Sequence, residues 1–144
     1  MVTNQFETKV LWSHVDANRH VRHSAYADFC AQARINILEA AGFGMEMLQS
    51  VGLGPILFRE ELQYLREIRP GDNVKVITYL TRLNASGSRW SFRHELYTGD
   101  GSKVAIVNVD GAWIDLQKRK LTGLPEQLIK SFDAMPRSED FEVI

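Results

Sequence analysis

From residue 55 to residue 116 the chain reads as one strand after another, and this run limits its possible folds more than any other feature. Residues 56–65, 73–83, 88–97 and 103–116 are apolar-rich segments divided only by turn clusters, Arg69-Pro70-Gly71-Asp72, residues 84–87 and Gly99-Asp100-Gly101. Connections this short leave room only for antiparallel neighbours. Upstream, Phe6, Thr8, Val10 and Trp12 alternate with Glu7, Lys9 and Ser13, the period of a half-buried first strand over residues 6–14.

Between that strand and the others the period changes. Tyr26, Phe29, Cys30, Ala33, Ile37, Ala40 and Ala41 share one helical face, with Ser24 as a natural N-cap and Gly42 as a stop. Ala25, Ala27, Ala31, Ala33, Ala40 and Ala41 are spread around the circumference, which suits a helix packed closely against a sheet. A helical turn is expected over residues 46–51, a terminal helix over 124–132 begun by Pro125, and a loose tail over 135–144. No internal repeat or linker interrupts this order. It predicts an α+β domain over residues 1–134, with a five-stranded antiparallel sheet wrapped around a long central helix. The sheet would have edges to protect, and pairing two copies edge to edge across a two-fold axis predicts a homodimer or a dimer-of-dimers tetramer.

Composition excludes other readings. The 144 residues suit one domain, and 17 Lys plus Arg against 18 Asp plus Glu leave a formal charge of -1. No long-range positive field exists to attract nucleic acid or an anionic membrane. The single Cys30 removes any internal disulfide, and the charged start (Glu7, Lys9, Asp16, Arg19) does not read as a signal peptide, so a cytoplasmic protein is expected.

The chemistry concentrates in HVDANRHVRHSAY, residues 14–26, which holds three of the four histidines and Asp16. It leads into the start of the helix, where unpaired N–H groups and the helix dipole favour a developing oxyanion. Asp16 offers a carboxylate to attack or to activate water. The segment DANRHVRHSAYADFCAQAR resembles the signature of the hotdog-fold acyl-CoA thioesterases of the 4-hydroxybenzoyl-CoA thioesterase type, in which an Asp opens the loop, a Tyr follows ten residues later and an Ala-Arg pair comes further along. Here those positions are Asp16, Tyr26 and Ala33-Arg34, and the likeness continues through YLREIRPGDNVKV and AWIDLQKRKLTGLPEQL, covering roughly residues 5–130. Where many members carry glycine, this loop reads Arg19-His20-Val21-Arg22-His23.

The resemblance implies a hotdog fold and hydrolysis of an acyl- or aryl-CoA thioester, with no cofactor and no metal. It assigns the catalytic carboxylate to Asp16, as general base or nucleophile, and the polarising helix-start N–H to His23 or Ser24. It also implies that a second copy of the chain supplies part of the pocket. Tyr26, Glu60 and Arg89 are the candidate substrate contacts.

Each assignment has a plainer rival. Asp16 could be a turn or cap residue, and His23 an exposed cap or a group orienting its neighbours. His14 and His20 are expected to pack or face solvent. A metal cage of His14, Asp16, His20 and His23 lacks any known ligand spacing. Glu60 falls on the apolar side of its strand with Ile56, Phe58, Leu62 and Tyr64, so it faces the acyl site, pairs with an arginine such as Arg34, or is turned outward by a bulge. Asp110, beside Ile106, Asn108 and Ala112, poses the same question. Trp12, Tyr26, Phe29, Phe58, Trp90 and Trp113 are expected in the core, and Arg89, Arg93, Lys118, Arg119 and Lys120 are candidates for the phosphates of coenzyme A. The rival functions are a non-catalytic hotdog protein binding acyl-CoA or acyl carriers, and a dehydratase. The helix disfavours the latter, because it holds no histidine base and carries its acids only at Asp28 and Glu39.

Overall fold

Alternation of apolar residues builds most of the sheet directly. In the computed structural model, which describes residues 2–144, β3 (Asn73–Leu83) buries Val74, Val76, Thr78 and Leu80 on one face, and β4 (Arg89–Thr98) buries Trp90, Phe92, His94 and Leu96. β5 (Lys103–Asp115) completes an antiparallel centre with them. β1 (Gln5–Lys9) joins the outer side of β3, and β2 (Leu53–Tyr64) joins β5, giving the order β1-β3-β4-β5-β2.

Helix α1 (His23–Ala40) lies against this sheet and buries Ala25, Tyr26, Phe29, Cys30, Ala33, Arg34, Ile37 and Leu38, positions three and four apart that form one stripe. Burying an Ile, Leu or Phe of that stripe contributes about 1.5–3 kcal/mol. The alanines do not enclose the helix on all sides: Ala40 is exposed, Ala27 and Ala31 are half-exposed, and Ile35 keeps 43% of its surface. One face of α1 is therefore open in the protomer. Short helices α2 (Met45–Val51) and α3 (Glu126–Ser131) close the ends. No helix among the described residues is long and apolar enough to cross a membrane.

The sheet departs from the five-stranded expectation. It has seven strands, because β6 (Lys120–Leu121) pairs with β5 and β7 (Arg137–Val143) runs parallel to β3. The last residues are thus not a loose tail. Met135 is fully buried, and β7 occupies the part of the β3 edge that β1 leaves free.

The first strand also ends earlier than its alternation suggests. After Lys9 the chain breaks into a 3-10 turn at Trp12–His14, which leaves Trp12 92% exposed rather than in the core. Phe58 is the second displaced aromatic. The register slips between Leu57 and Arg59, so Phe58 forms a bulge opposite β5 and is 52% exposed. At the bulge Gly111 is required: a Cβ there would lie 2.5 Å from the Ile56 carbonyl oxygen and overlap the Trp90 ring. Ser24 does not cap α1. The N-cap is Arg22, and Ser24 Oγ inside the first turn accepts a 3.1 Å bond from Arg22 Nε.

Candidate functional site

The segment before α1 is a small hairpin stitched by its own backbone. An isolated bridge joins Val15 to Val21, Asp16 N–H donates to His20 O, and Arg19 N–H donates to Asp16 O, with Arg19 in the left-handed region at φ 63°. Asp16 sits on this turn, exposed, its Oδ1 accepting a 2.8 Å bond from Asn18 N–H. That is the Asx geometry of the plainer reading.

The flanking histidines are engaged locally. His14 Nδ1 accepts the Leu11 N–H at 2.9 Å, and its ring packs edge-on against Phe29. His20 Nε2 lies 2.9 Å from Glu67. His23 is exposed, and its carbonyl accepts a 3.3 Å bond from Tyr64 O–H. Among the described residues no three His, Cys, Asp or Glu side chains converge as a metal cage.

Arg22 ties the hairpin to the helix. Its guanidinium donates to Ser13 O at 2.6 Å and reaches Asp28 at 3.3 Å. Among the described residues no side chain caps α1, so the N–H groups of its first turn, beginning at His23 and Ser24, keep their helix-end donor capacity. Tyr26, by contrast, is inside the fold: its O–H donates to Arg66 O at 3.2 Å, and Tyr64 packs edge-on against it. Burial pushes the Tyr26 phenol above its usual range.

A polar cleft of about 750 Å³ opens beside the hairpin, between the β2–β3 loop and the β4–β5 turn, lined by Arg66, Glu67, Arg69, Asp72, Asp100 and Ser102 among others. The His20–Glu67 pair and the Val21 N–H to Ile68 O bond connect its wall to the Asp16 turn.

The other candidates are dispersed. Glu60 follows the bulge and is exposed, on the same pleat side as Leu62 and Tyr64; it makes no ion pair among the described residues, although its charge reaches Arg34 and Cys30. Asp110 is paired, accepting from Ser91 Oγ at 2.6 Å and facing Arg59 at 3.5 Å. Arg89 stacks its guanidinium over Phe58, and Arg93 is held by Glu95 and Asp140. Lys118, Arg119 and Lys120 lie exposed around the β5–β6 turn. Within the protomer these cations lie on different elements.

His94, the fourth histidine, is not among the expected site residues. It is fully buried, with Arg34 donating to Nε2 at 3.0 Å and Thr78 Oγ1 lying 2.8 Å from Nδ1. This arrangement assigns the proton to Nδ1, so that the ring donates to Thr78. Burial, assisted by the Arg34 charge, drives the imidazole well below its ordinary range, so it is neutral at pH 7. The signal was present in the strands: His94 alternates with Trp90, Phe92 and Leu96, and Thr78 with Val74, Val76 and Leu80. Cys30, one turn from Arg34, is inert as a nucleophile because burial raises its thiol to about 12.

This topology and the segment leading into α1 define a class. Residues 10–132 match the Thioesterase-like superfamily, and the chain belongs to it. No curated protein matches it in sequence. Among solved structures it is similar to a Staphylococcus aureus protein in complex with CoA, at 17% identity and TM-score 0.87, covering 100% of this chain and 90% of that one. It is also similar to a 1,4-dihydroxy-2-naphthoyl-CoA thioesterase from Synechocystis, at 20% identity and TM-score 0.80, covering 92% and 96% of the two chains. A DHNA-CoA thioesterase from Staphylococcus aureus aligns at 17% identity and TM-score 0.84, covering 93% and 91%. At these identities the likeness establishes the fold, a hotdog-like α+β arrangement.

Proposed function

We propose that this protein hydrolyses an acyl- or aryl-CoA thioester to the free acid and coenzyme A, as the 4-hydroxybenzoyl-CoA thioesterases do. One observation carries the reading: within the segment matched to the superfamily, an exposed carboxylate turn at Asp16 runs directly into a helix start that no side chain caps. The N–H groups at His23 and Ser24 would hold the thioester oxygen as it gains charge. In the general-base route, Asp16 takes a proton from water as the water oxygen bonds to the thioester carbon. The C–S bond then breaks, and the proton passes to the departing thiolate. In the nucleophilic route, a carboxylate oxygen of Asp16 displaces the thiolate to form a mixed anhydride, which water hydrolyses.

No metal or cofactor takes part in either route. Tyr64, Glu60 and the open face of α1 flank the acyl path in this reading, with Tyr26 supporting it from below and Arg89 placed at its rim. β2 is an end strand of the main sheet path, with Leu57 and Phe58 exposed along it, which supports a two-fold pairing of copies through that edge.

Asp16→Asn tests the assignment. Its Oδ1 still accepts the Asn18 N–H, so folding is preserved, while acyl-CoA turnover is expected to fall by about 10²–10⁴. Turnover equal to the parent's would sink the role of Asp16. One turnover in ¹⁸O-water separates the routes, since only a nucleophilic Asp16 retains label in its own carboxylate. Tight acyl-CoA binding with no hydrolysis across chain lengths would replace the hydrolase by a binding protein.

A further inference from the structure

The middle of α1 carries a charge that the fold leaves half-used. Arg34 is only 9% exposed, yet its one hydrogen-bond partner among the described residues is the neutral His94, and no carboxylate pairs with it. A buried guanidinium without a counter-ion is costly, and it has five donors to satisfy. The field of Glu60 reaches it without an ion pair.

Arg34 lines a groove of about 150 Å³ between α1 and β2, whose other walls include Ile35, Leu38, Ile56, Leu57 and Trp90. Trp90 closes the groove with its ring and is 3% exposed. Arg34 is thus the charged group of an otherwise apolar groove, and His94, itself bonded to Thr78, holds it in place.

We propose that Arg34 selects a thioester whose acyl chain ends in a carboxylate, with that end seated in the α1–β2 groove. The inference rests on the thioester-hydrolase reading for the rest of the substrate. The groove has room for about five heavy atoms, at roughly 30 Å³ each, so it takes only the distal end of the chain. Arg34 is eleven residues from His23, roughly 16 Å along the helix axis, and its side chain leans back toward the helix start. A chain of about six to ten carbons spans what remains. The carboxylate accepts from the N–H groups of Arg34 that His94 leaves free, while the methylenes lie against Leu38, Ile56 and Leu57.

The test compares suberyl-CoA with octanoyl-CoA, which are equal in length and differ in the terminal carboxylate. The full-length protein is expected to favour suberyl-CoA by about 10- to 100-fold in kcat/KM. Arg34→Met should collapse that ratio to about one, and Arg34→Lys should restore part of it. Equal handling by the parent, or loss of both substrates in proportion, overturns the proposal.

Two non-hydrolysable CoA thioethers of the same lengths, titrated by calorimetry, keep the question separate from hydrolysis. If no thioester turns over but the carboxylate thioether binds tighter and Arg34→Met removes the difference, the hydrolase reading fails and the Arg34 assignment stands. If thioesters turn over without discrimination, the reverse holds. A parent that ignores the carboxylate, together with an Arg34→Met variant that loses its dimer by light scattering, gives the Arg34 charge to a second copy and ends the proposal. Should Arg34→Met fail to fold, the parent's own preference and the effect of Arg34→Lys decide.

Discussion

The two polar regions along α1 are built in opposite ways. At its N-terminus the residues 14–24 stand largely in solvent, and their polar groups are satisfied by near neighbours in the chain: Asp16 by Asn18, His14 by Leu11, Ser24 by Arg22. At its middle, Arg34, His94 and Thr78 are 9%, 0% and 1% exposed and come from three elements separated by up to 60 positions. The contrast teaches where each kind of polar residue spends its interaction energy. An exposed polar turn costs the fold little and is free for chemistry, whereas a buried polar cluster is part of the stability of the molecule and fixes a charge in place.

Substitutions at the two regions should therefore separate rate from stability. The largest effect lies at the turn, where Asp16→Asn costs turnover by the factor given above while the melting temperature stays within about 2 °C; a marked drop in melting temperature would merge the two regions into one. At the buried cluster, His94→Ala deprives Arg34 of its one partner and leaves a cavity, a loss of about 3 kcal/mol or roughly 10 °C measured by thermal denaturation. A drop under 2 °C would show that water replaces the imbidazole without cost.

Gly111→Ala sharpens the same point beside the groove. Its Cβ meets the Ile56 carbonyl and the Trp90 ring, so about 1–3 kcal/mol of stability is lost in urea titration as β2 is pushed away. An unchanged urea midpoint would mean that the bulge at Phe58 absorbs the methyl group.

Acidification distinguishes the regions more gently. The His94 imidazole titrates lower in the folded chain than its ordinary value near 6.5, so below that pH the unfolded chain binds the extra proton and stability falls. Stability from this group is complete only well above pH 6.5 and is lost progressively as the pH falls through that value. The loss grows as the pH falls from about 6.5 toward about 5.5, above the range where carboxylates protonate. His94→Gln should flatten the melting-temperature profile across that window, and a profile as steep as the parent's would clear His94. The smallest effect belongs to Glu67→Gln. It removes the His20 pair, 39% and 48% exposed, and should cost less than about 1 kcal/mol.

Most of the central sheet was legible in the sequence because alternation and short turns are local signals. β3 occupies the residues its pattern marks, 73–83, and β4 and β5 lie within one residue of theirs. The misses have non-local causes. Trp12 continues the alternation of β1, but the chain turns away where Val10 bonds to Asp72. The bulge at Phe58 depends on Gly111, more than fifty positions away, and the polar RSEDFEV becomes a strand only because β3 has an unpaired stretch of edge. For the site, the residue types around Asp16 were evident, since function-bearing loops draw attention by their polarity. The buried cluster was overlooked because a histidine on an apolar strand face gains meaning only when its partner on the helix is known.

The order in which the sheet can assemble follows from its connections. β3–β4 and β4–β5 are hairpins with brief turns, whereas β1 reaches β3 across α1 and β2, and β2 reaches β5 with Leu53 opposite Asp115. Closing a long loop costs entropy before any contact rewards it, so the three central strands should pair first, with β2 and β1 docking after them. Pulse-labelled amide exchange during refolding would show the amides of β4 protected before those of β2; simultaneous protection would contradict this order. The groove that β2 walls is then a late addition to a sheet already formed, and its shape can vary without endangering the folding of the strands beneath it.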